Sequence, residues 1–450
     1  MEKLVSLCKR RGFIFPGSEI YGGLANSWDY GPLGVQMKIN IKNDWWKKVV
    51  EERDDMVGLD GAILMNPKVW EASGHVETFN DPLVEDKKTH KRYRADHLIQ
   101  DITGMDVDGK SLDELAAIIK EKDIKSPDGN ELTSPRQFSG MFETTAGAAG
   151  EGKQVIYLRP ETAQAMFVNF KNVLDTSRKR IPFGIAQIGK AFRNEITPGN
   201  FIFRTLEFEQ MEIEFFIEES DWEKQFELWN KWRLNWAKSI GINEKLLSFE
   251  EHAPEKLSHY SKKTTDVMFK FPFGVQELWG LAYRTDYDLS QHEKFSGQNL
   301  TYTDPNDNSR KFIPHVIEPT FGVDRTLLAI LVSAYDEEEV NGETRVVMRF
   351  KNNIAPYQIA ILPLSKKEQL STLGKEVFNN LNKDYRCEYD ETQSIGKRYR
   401  RQDEIGTPFC ITVDFESLED GMVTVRDRDS MEQTRIAIDK LNSFIQDKIQ

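Results

Sequence analysis

Cysteine is scarce in this sequence of 450 residues, in which the only cysteines are Cys8, Cys387 and Cys410. Their odd number and wide spacing exclude a disulfide framework and a zinc site built on paired cysteines, and they are typical of a reducing compartment. The basic residues near the N-terminus are not followed by the apolar core of a signal peptide. No apolar run is long enough to span a bilayer. These absences predict a cytoplasmic protein without membrane-spanning segments.

Positive charge is also in deficit, since 73 acidic residues outnumber 60 basic ones and give a net charge of −13. This balance argues against non-specific binding of polyanions, although it leaves room for a local basic patch. No internal repeat is visible. The length predicts about three domains, and a hydrophobic content of 39% with 11% aromatic residues is enough for sizeable packed cores.

The most informative segment runs from Phe192 to Phe216 and reads as two strands joined by a turn at Pro198 and Gly199. Side chains alternate between the two faces of a strand. One face of the second strand is apolar and predicts a core contact: Met211, Ile213, Phe215 and Ile217. The other face of the hairpin combines arginines, an aromatic ring and carboxylates: Arg193, Glu195, Arg204, Leu206, Phe208, Gln210 and Glu212.

Two interpretations of this polar face are open from the residues alone. A solvated antiparallel hairpin would also carry charged outer residues. A ligand-binding surface is the alternative, because guanidinium groups suit phosphate oxygens. In addition, a ring such as Phe208 can stack on a base, and a carboxylate such as Glu212 can hold an ammonium group. We favour the interpretation as a ligand-binding surface, because other segments of the chain suit the same ligand.

Three more carboxylates lie in unusual positions. Glu161 follows the predicted strand Val155–Leu158 at a junction with a helix, where it could bind a ligand or simply cap the helix. Glu277 shares a predicted strand face with large apolar residues, and Glu318 lies within an otherwise apolar strand. A buried carboxylate without a partner is costly, so Glu277 predicts a cation, a metal or a ligand donor nearby.

A helix is predicted from Val323 to Tyr335, directly after a tight turn at Gly322. Arg325 lies in its first turn, where free N–H groups and a guanidinium together suit a phosphate. The alternative is a surface ion pair beside an Asp324 cap.

The rest of the chain suggests its organisation. A helix over residues 36–53 and a strand ending at Pro67 precede a charged, glycine-rich stretch, which predicts an inserted subdomain with one helix capped by Ser111 and Glu114. Strands alternate with helices after residue 353, which indicates an α/β layer. Residues 397–401 of this part are four basic residues around Tyr399, which suit single-stranded nucleic acid or a solvated helix face.

Several of these segments resemble motifs of the class II aminoacyl-tRNA synthetases. The strings FRNE, RTLEF with FEQME, and GVDR are similar to motifs two and three, and the helix and strand ending at Pro67 are similar to motif one. The further strings RGFIFPGSEIYGG, WDYGPLG, YRADHLI, RPETAQ, RTDYDL and EPTFG resemble the homodimeric glycyl-tRNA synthetases. The resemblance covers nearly the whole chain, and the order of the motifs is more specific than any one of them.

The resemblance implies an α/β (α+β) protein with a class II antiparallel β-sheet core flanked by helices and a C-terminal α/β anticodon-binding domain. The implied catalytic core comprises residues 1–80 and 154–350, the insertion residues 81–153, and the anticodon-binding domain residues 354–450. The implied enzyme is a ligase with ATP, glycine and tRNA(Gly) as partners, and it is a homodimer. It forms glycyl-adenylate and pyrophosphate and then transfers glycine to the 3′ end of the tRNA.

For ATP, the resemblance assigns Arg193 to the α-phosphate, Arg204 to the β- and γ-phosphates and Phe208 to the adenine ring. The implied catalytic residues are Arg193, Arg325 and Glu277, and Glu277 is also the implied ligand of the Mg²⁺ that accompanies ATP. Arg325 is assigned to the adenine or the γ-phosphate. The implied ATP-binding residues are Arg193, Asn194, Glu195, Phe203, Arg204, Thr205, Leu206, Glu207, Phe208, Glu277, Leu278, Arg284, Gly322, Val323, Asp324 and Arg325.

For glycine, the resemblance assigns Glu161, Glu212 and Glu318 to an acidic pocket for the ammonium group. A bound cation would offset the repulsion among these carboxylates. Thr320 assists them and stands where many relatives carry serine. The implied glycine-binding residues are Arg94, Glu161, Phe208, Glu209, Gln210, Met211, Glu212, Glu318, Pro319, Thr320, Phe321 and Gly322.

Two rival functions remain in view. A non-catalytic relative that only binds nucleic acid would have lost the ATP residues, which are present here. An adenylate-forming enzyme with another acceptor would not need the C-terminal α/β domain with its GKRYRRQ patch. The insertion lacks the cysteines that bind zinc in certain relatives, so no zinc is expected.

Overall fold

The computed structural model describes residues 1–147, 154–196 and 199–449. Its first elements are α1 (Glu2–Arg11), β1 (Ile14–Pro16), β2 (Trp28–Tyr30), α2 (Pro32–Trp46), β3 (Met56–Gly58), α3 (Lys68–Ala72) and α4 (His75–Thr78). The expected long helix is α2, which continues as a π-helical turn to Glu51. The expected strand ending at Pro67 is wrong. Leu64 makes only an isolated bridge to Leu158, because β3 takes the place at the sheet edge.

The predicted insertion contains β4 (Asn80–Glu85), β5 (Arg92–Arg94), α5 (Ala95–Thr103), α6 (Leu112–Glu121), β6 (Arg136–Ser139) and β7 (Phe142–Ala146). The first three strands form a small sheet in the order β5-β4-β6. The capping box of Ser111 and Glu114 is confirmed at the start of α6. A second helix, α5, buries Leu98 and Ile99 in the same small core. The last residues assigned to the insertion, 148–153, lie outside the described residues.

The main sheet is built from elements that follow the insertion. They are β8 (Gln154–Leu158), α7 (Ala163–Val168), α8 (Phe170–Ser177), β9 (Phe183–Phe192), β10 (Glu207–Ile217), α9 (Trp222–Ser239), β11 (Leu247–Glu251), β12 (Lys263–Phe271), β13 (Gly274–Thr285), α10 (Tyr287–Ser296), β14 (Tyr302–Asp304), β15 (Asp307–Phe312), β16 (His315–Gly322), α11 (Val323–Ala334), β17 (Tyr335–Val340) and β18 (Glu343–Met348).

Seven strands form this sheet in the order β11-β12-β13-β16-β10-β9-β3. All neighbours are antiparallel except β3 and β9, which confirms the antiparallel sheet expected of a class II core. The strand β16 lies between β13 and β10, with Thr320 opposite Glu212 on one side and Glu318 opposite Ala282 on the other. This register brings the carboxylates of two strands together.

The strands of the predicted hairpin are shorter than expected. Because β9 ends at Phe192 and β10 begins at Glu207, Arg193, Glu195 and Arg204 lie in the connection rather than in the strands. Pro198 of the expected turn lies outside the described residues, and Gly199 forms a bridge with Arg204. A long connection lets these side chains reach over the sheet. The apolar face of β10 is buried as predicted: Met211, Ile213, Phe215 and Ile217.

The C-terminal part forms a separate five-stranded sheet in the order β20-β19-β21-β22-β23. Its elements are β19 (Ile359–Pro363), α12 (Glu368–Leu381), β20 (Cys387–Tyr389), α13 (Ile395–Ile405), β21 (Phe409–Val413), α14 (Ser417–Asp420), β22 (Met422–Asp427), β23 (Gln433–Ala437) and α15 (Leu441–Ile449). Parallel pairing of β19 with β20 and β21 confirms the predicted α/β layer.

Two of the four basic residues within 397–401 make contacts inside the C-terminal part of the fold. Arg398 is buried and donates to the carbonyl oxygen of Pro363 at 2.7 Å, and Arg401 pairs with Asp390. Lys397 stays exposed. Within the described part of the chain, no helix combines the length and the apolar character that a membrane crossing requires.

Candidate functional site

A cleft opens between β10, the first half of β13 and the start of α11. It is lined by most of the residues expected to bind ATP and by some expected to bind glycine. The lining residues are Arg193, Glu195, Ile202, Phe203, Arg204, Thr205, Phe208, Glu209, Gln210, Glu277, Leu278, Thr320, Gly322, Asp324 and Arg325.

Two arginines lie against aromatic rings in this cleft. The guanidinium of Arg193 lies 5.4 Å from the centre of the Phe208 ring, and its Nε donates to the carbonyl oxygen of Pro160 at 3.1 Å. The guanidinium of Arg325 lies 4.4 Å from the centre of the Phe203 ring. Arg325 is thus stacked on Phe203 rather than on Phe208. The paired rings and cations suit a base and its phosphates.

Glu277 points into the cleft instead of into the core. The prediction of a carboxylate buried among apolar groups is wrong, since its side chain is 47% exposed and lies 3.1 Å from Arg325 Nη1. A register shift between Val267 and Met268 explains the difference. This irregularity interrupts the alternation of side chains, so Leu278 and Trp279 are both buried next to it.

A buried pocket rich in acid lies behind the cleft, around β10 and β16. One carboxylate oxygen from each of Glu212, Glu214 and Glu318 lies within 4.8 Å of the others. Glu212 accepts hydrogen bonds from the backbone N–H of Thr162 at 3.1 Å and from Thr320 Oγ1 at 3.0 Å. Thr162 Oγ1 also donates to Glu212 instead of capping α7. The cluster contains Glu212 and Glu318, two of the three carboxylates that were expected to bind the ammonium group.

Arg284 belongs to the acidic pocket and not to the phosphate side. The expectation that it contacts phosphate is wrong, because it is 1% exposed and enclosed by carboxylates. Its Nε and Nη2 donate to the two oxygens of Asp288 at 2.8 and 2.9 Å, and its Nη1 donates to Glu318. Glu161 Oε1 lies 4.0 Å from its Nη2.

The pKa values of the carboxylates in the pocket are shifted in different directions. Burial raises the pKa of Glu318 to about 8, with repulsion from Glu212 and Glu161 adding to this and Arg284 opposing it. Burial and Glu161 raise the pKa of Glu212, and burial and Glu318 raise that of Glu214. For Glu161, burial is outweighed by His75 and Arg284, and its pKa is lowered. The raised pKa values reflect repulsion among these carboxylates, which a further cation would relieve.

Comparison with known proteins decides the family. The "tRNA synthetase class II core domain (G, H, P, S and T)" matches residues 144–334, and the "Anticodon binding domain" matches residues 358–448. The glycine–tRNA ligases of Bacillus cereus (strain ZK / E33L) and Acetivibrio thermocellus are 55% and 58% identical to the chain, with 100% of the chain and 99% and 98% of the relatives covered. That of Geobacillus thermodenitrificans is 56% identical over 100% of the chain and 97% of its own length.

The chain belongs to the glycine–tRNA ligase family. It is therefore a class II aminoacyl-tRNA synthetase, and the family expected from its motifs is confirmed.

Several residues that the motifs assigned to this synthetase's ATP site lie outside the cleft. Asn194 Nδ2 donates to the carbonyl oxygen of Ser139 and joins the insertion to the core. Leu206 and Glu207 border a neighbouring cavity, and Glu207 pairs with Lys190. Val323 is buried in the main core. Motif spacing could not distinguish such supporting positions from contacts with a ligand.

Strand alternation also removes residues from the synthetase's expected glycine set. Met211 and Phe321 face the main core, and Pro319 shares the face of Phe321 because it lies two residues away on β16. Glu209 points away from the acidic pocket and pairs with Lys38 and Lys42 at 2.6 and 2.8 Å.

Arg94 is held inside the insertion, 2.9 Å from Asp81 and 2.6 Å from Asp96. These carboxylates occupy its guanidinium, so the expected contact with glycine is not supported. Gln210 and Gly322, by contrast, do line the cleft next to Thr320.

The structure adds pocket residues that the sequence interpretation missed. Glu214 is 0% exposed, and neither of its carboxylate oxygens has a hydrogen-bond partner among the described residues. Its position two residues after Glu212 on a strand was the signal that could have identified it. Asp288 gave no such signal, because it lies in the first turn of α10 whereas its partner Arg284 lies in β13. His75, whose Nε2 lies 3.5 Å from Glu161, gave no such signal.

Proposed function

We propose that this chain activates glycine with ATP, releasing pyrophosphate, and then transfers the glycyl group to the 3′ end of tRNA(Gly). The observation that carries the proposal is the meeting of two opposite environments at Gln210, Thr320 and Gly322. On one side lies the cleft with its arginines, and on the other the buried acidic pocket. An adenylate-forming reaction needs this pairing, because a polyanion and an ammonium group must be held side by side.

In the first step, the carboxylate of glycine attacks the α-phosphorus of ATP. Phe208 would stack on the adenine, Arg193 would neutralise charge that develops at the α-phosphate, and Arg204 and Arg325 would hold the outer phosphates. The arrangement supports catalysis by positioning and charge stabilisation. The carboxylate of glycine is itself the nucleophile, so no general base is assigned.

Glycine would be held by its ammonium group, with Glu161, Glu212 and Glu318 as acceptors. Thr320 fixes Glu212 through its hydroxyl. Glycine offers no side chain to recognise, so selectivity comes from binding the ammonium and from closing the space around the α-carbon.

Glu277 would bind the Mg²⁺ that accompanies ATP. A carboxylate oxygen is the hard donor that Mg²⁺ prefers, and this one lines the phosphate side of the cleft with its side chain 47% exposed. When bound, the ion neutralises charge on the phosphates.

We also propose a homodimer formed through α2 and the segment before it. Val35 and Ile39, four residues apart on this helix, are 45% and 40% exposed, and Ile20, Tyr21 and Leu24 are exposed nearby in sequence. A stable and fully active monomer in sedimentation analysis would refute this assembly. We place the enzyme in the cytoplasm, where its three cysteines would remain buried thiols.

The decisive experiment measures glycine-dependent ATP–pyrophosphate exchange and the charging of purified tRNA species. We expect exchange with glycine and transfer to tRNA(Gly). Exchange without transfer to any tRNA would favour an adenylate-forming enzyme with another acceptor. Binding of tRNA without exchange for any amino acid would favour a non-catalytic relative.

A further inference from the structure

One buried lysine bridges the two walls of the ATP cleft from outside. Lys38, on α2, lies 2.6 Å from Glu209 Oε2 and 2.9 Å from Asp324 Oδ1. Glu209 belongs to β10 and directly follows Phe208, while Asp324 belongs to α11 and directly precedes Arg325. The lysine therefore joins the wall that carries the aromatic ring to the wall that carries the arginine.

Two further contacts complete this bridge. Asp324 Oδ2 accepts a hydrogen bond from the backbone N–H of Glu209 at 2.8 Å, which ties α11 to β10. The hydroxyl of Tyr30, on β2, donates to Asp324 Oδ1, and the ammonium of Lys38 lies 3.9 Å from the centre of the Tyr30 ring. Burial and then Asp324 raise the pKa of Tyr30, so its hydroxyl remains a donor.

We propose that Lys38 and Tyr30 are positioning residues that act through Asp324 to fix the separation of Phe208 and Arg325, and hence the affinity for ATP. The proposal rests on the proposed function of the cleft. Without Lys38, two carboxylates would face each other with little water to screen them, which is strongly unfavourable. Asp324 would turn away, the bond to the Glu209 N–H would weaken, and the walls would separate.

Helix α2 provides a matched control on its next turn. Lys42 also pairs with Glu209, at 2.8 Å, but the structure gives it no contact with Asp324 among the described residues. Lys38→Met and Lys42→Met thus remove the same charge from the same helix. Only the first removes a partner of Asp324.

The test measures the KM values for ATP and for glycine in ATP–pyrophosphate exchange with the full chain. We expect Lys38→Met to raise the KM for ATP at least tenfold and to change the KM for glycine less than threefold. Lys42→Met should change both less than threefold. In an Asp324→Asn background, Lys38→Met should add much less than its effect in the wild type, because both act on one contact.

Tyr30→Phe is the second variant, and it tests the proposal even if Lys38→Met does not fold. It keeps the ring beneath Lys38 and removes one hydrogen bond to Asp324, so the KM for ATP should rise about threefold. An unchanged KM for ATP in Tyr30→Phe, an equal effect of Lys42→Met, or an equal rise in both KM values would overturn the proposal. Absence of exchange in the wild type would instead refute the proposed function on which it rests.

Discussion

The two halves of the site present different charged groups at different depths. The ATP half is open to solvent and presents Arg193, Arg204 and Arg325 around Phe203 and Phe208. The glycine half is closed, and its acidic groups surround Arg284, which is 1% exposed. One half therefore presents arginines to solvent, whereas the other buries its carboxylates.

The difference follows from the size of the two ligands. ATP is large and multiply charged, so several partly hydrated cations can share the work of binding it. Glycine has few atoms, and its affinity must come from a few interactions strengthened by the removal of water. Breaking one contact should therefore have a larger effect in the glycine half than in the ATP half.

The largest effect is expected for Glu318→Ala. Removing one partner from a buried ionic group costs about 3–5 kcal/mol, and we expect glycine-dependent exchange to fall about 1000-fold while ATP still binds. Exchange assays and direct ATP titration test this. Glu343→Ala, at an exposed position of β18, is the control and should resemble the wild type. Wild-type exchange in Glu318→Ala would remove this residue from the pocket.

Arg193→Ala should have the next largest effect. Loss of one preorganised group that stabilises developing charge lowers the rate about 100-fold or more, and the KM for glycine should stay within threefold of the wild type. Exchange kinetics give both values. Arg136→Ala, in an exposed part of β6, serves as control. A rise in the KM for glycine as large as the loss of rate would contradict the separation of the two halves.

The KM values for glycine and for ATP should also depend differently on pH. The pKa of Glu318 is about 8 in the empty pocket, so glycine must displace its proton at lower pH. We expect the KM for glycine to fall as pH rises from 6 to 8, by at most tenfold per pH unit. The KM for ATP should lack this trend. Titration calorimetry in two buffers of different ionisation enthalpy should detect the released proton, and equal heats would contradict its release.

The same group has a definite effect on folding. Its pKa is higher in the folded protein than its ordinary value of 4.5. Since the folded state then binds the proton more tightly than the unfolded chain, the contribution of Glu318 to stability falls as pH rises from about 4.5 to about 8.

The smallest effect is expected for Thr320→Ser. It keeps the hydroxyl that donates to Glu212 and removes one methyl group, worth about 0.8 kcal/mol, so the KM for glycine should change about fourfold or less. Thr320→Val keeps the shape but removes the donor, and it should raise this KM about tenfold. Equal effects of the two variants would show that shape, rather than the hydrogen bond, is what Thr320 contributes.

The sequence predicted the order of the elements well, because motif order and strand alternation are local properties. The buried face of β10, the strand β16 and the helix α11 are where the residue pattern placed them. The ends of β9 and β10 were missed because the connecting residues are held by contacts with distant segments. Glu277 was misjudged because its strand contains an irregularity that the pattern does not reveal.

The charged partners of a side chain were harder to predict than its position in a strand or helix. Arg284 was expected to contact phosphate, since an arginine near a nucleotide site suggests this. Its actual partners come from α10 and β16 as well as from Glu161, just before α7. Lys38 and His75 reach the site from segments more than 80 residues away from the carboxylates they contact. Only the folded chain shows such pairs.

The position of β16 has a consequence for the order in which the protein is made. This strand is the last of the seven in sequence, yet it lies between β13 and β10. During synthesis, both neighbours therefore wait with open edges until residues 315–322 leave the ribosome, which exposes the growing chain to mispairing. Glu318 and Thr320 arrive on this strand. Closure of the sheet and completion of the glycine pocket are thus one event, so a nascent chain cannot bind glycine before its largest sheet is whole.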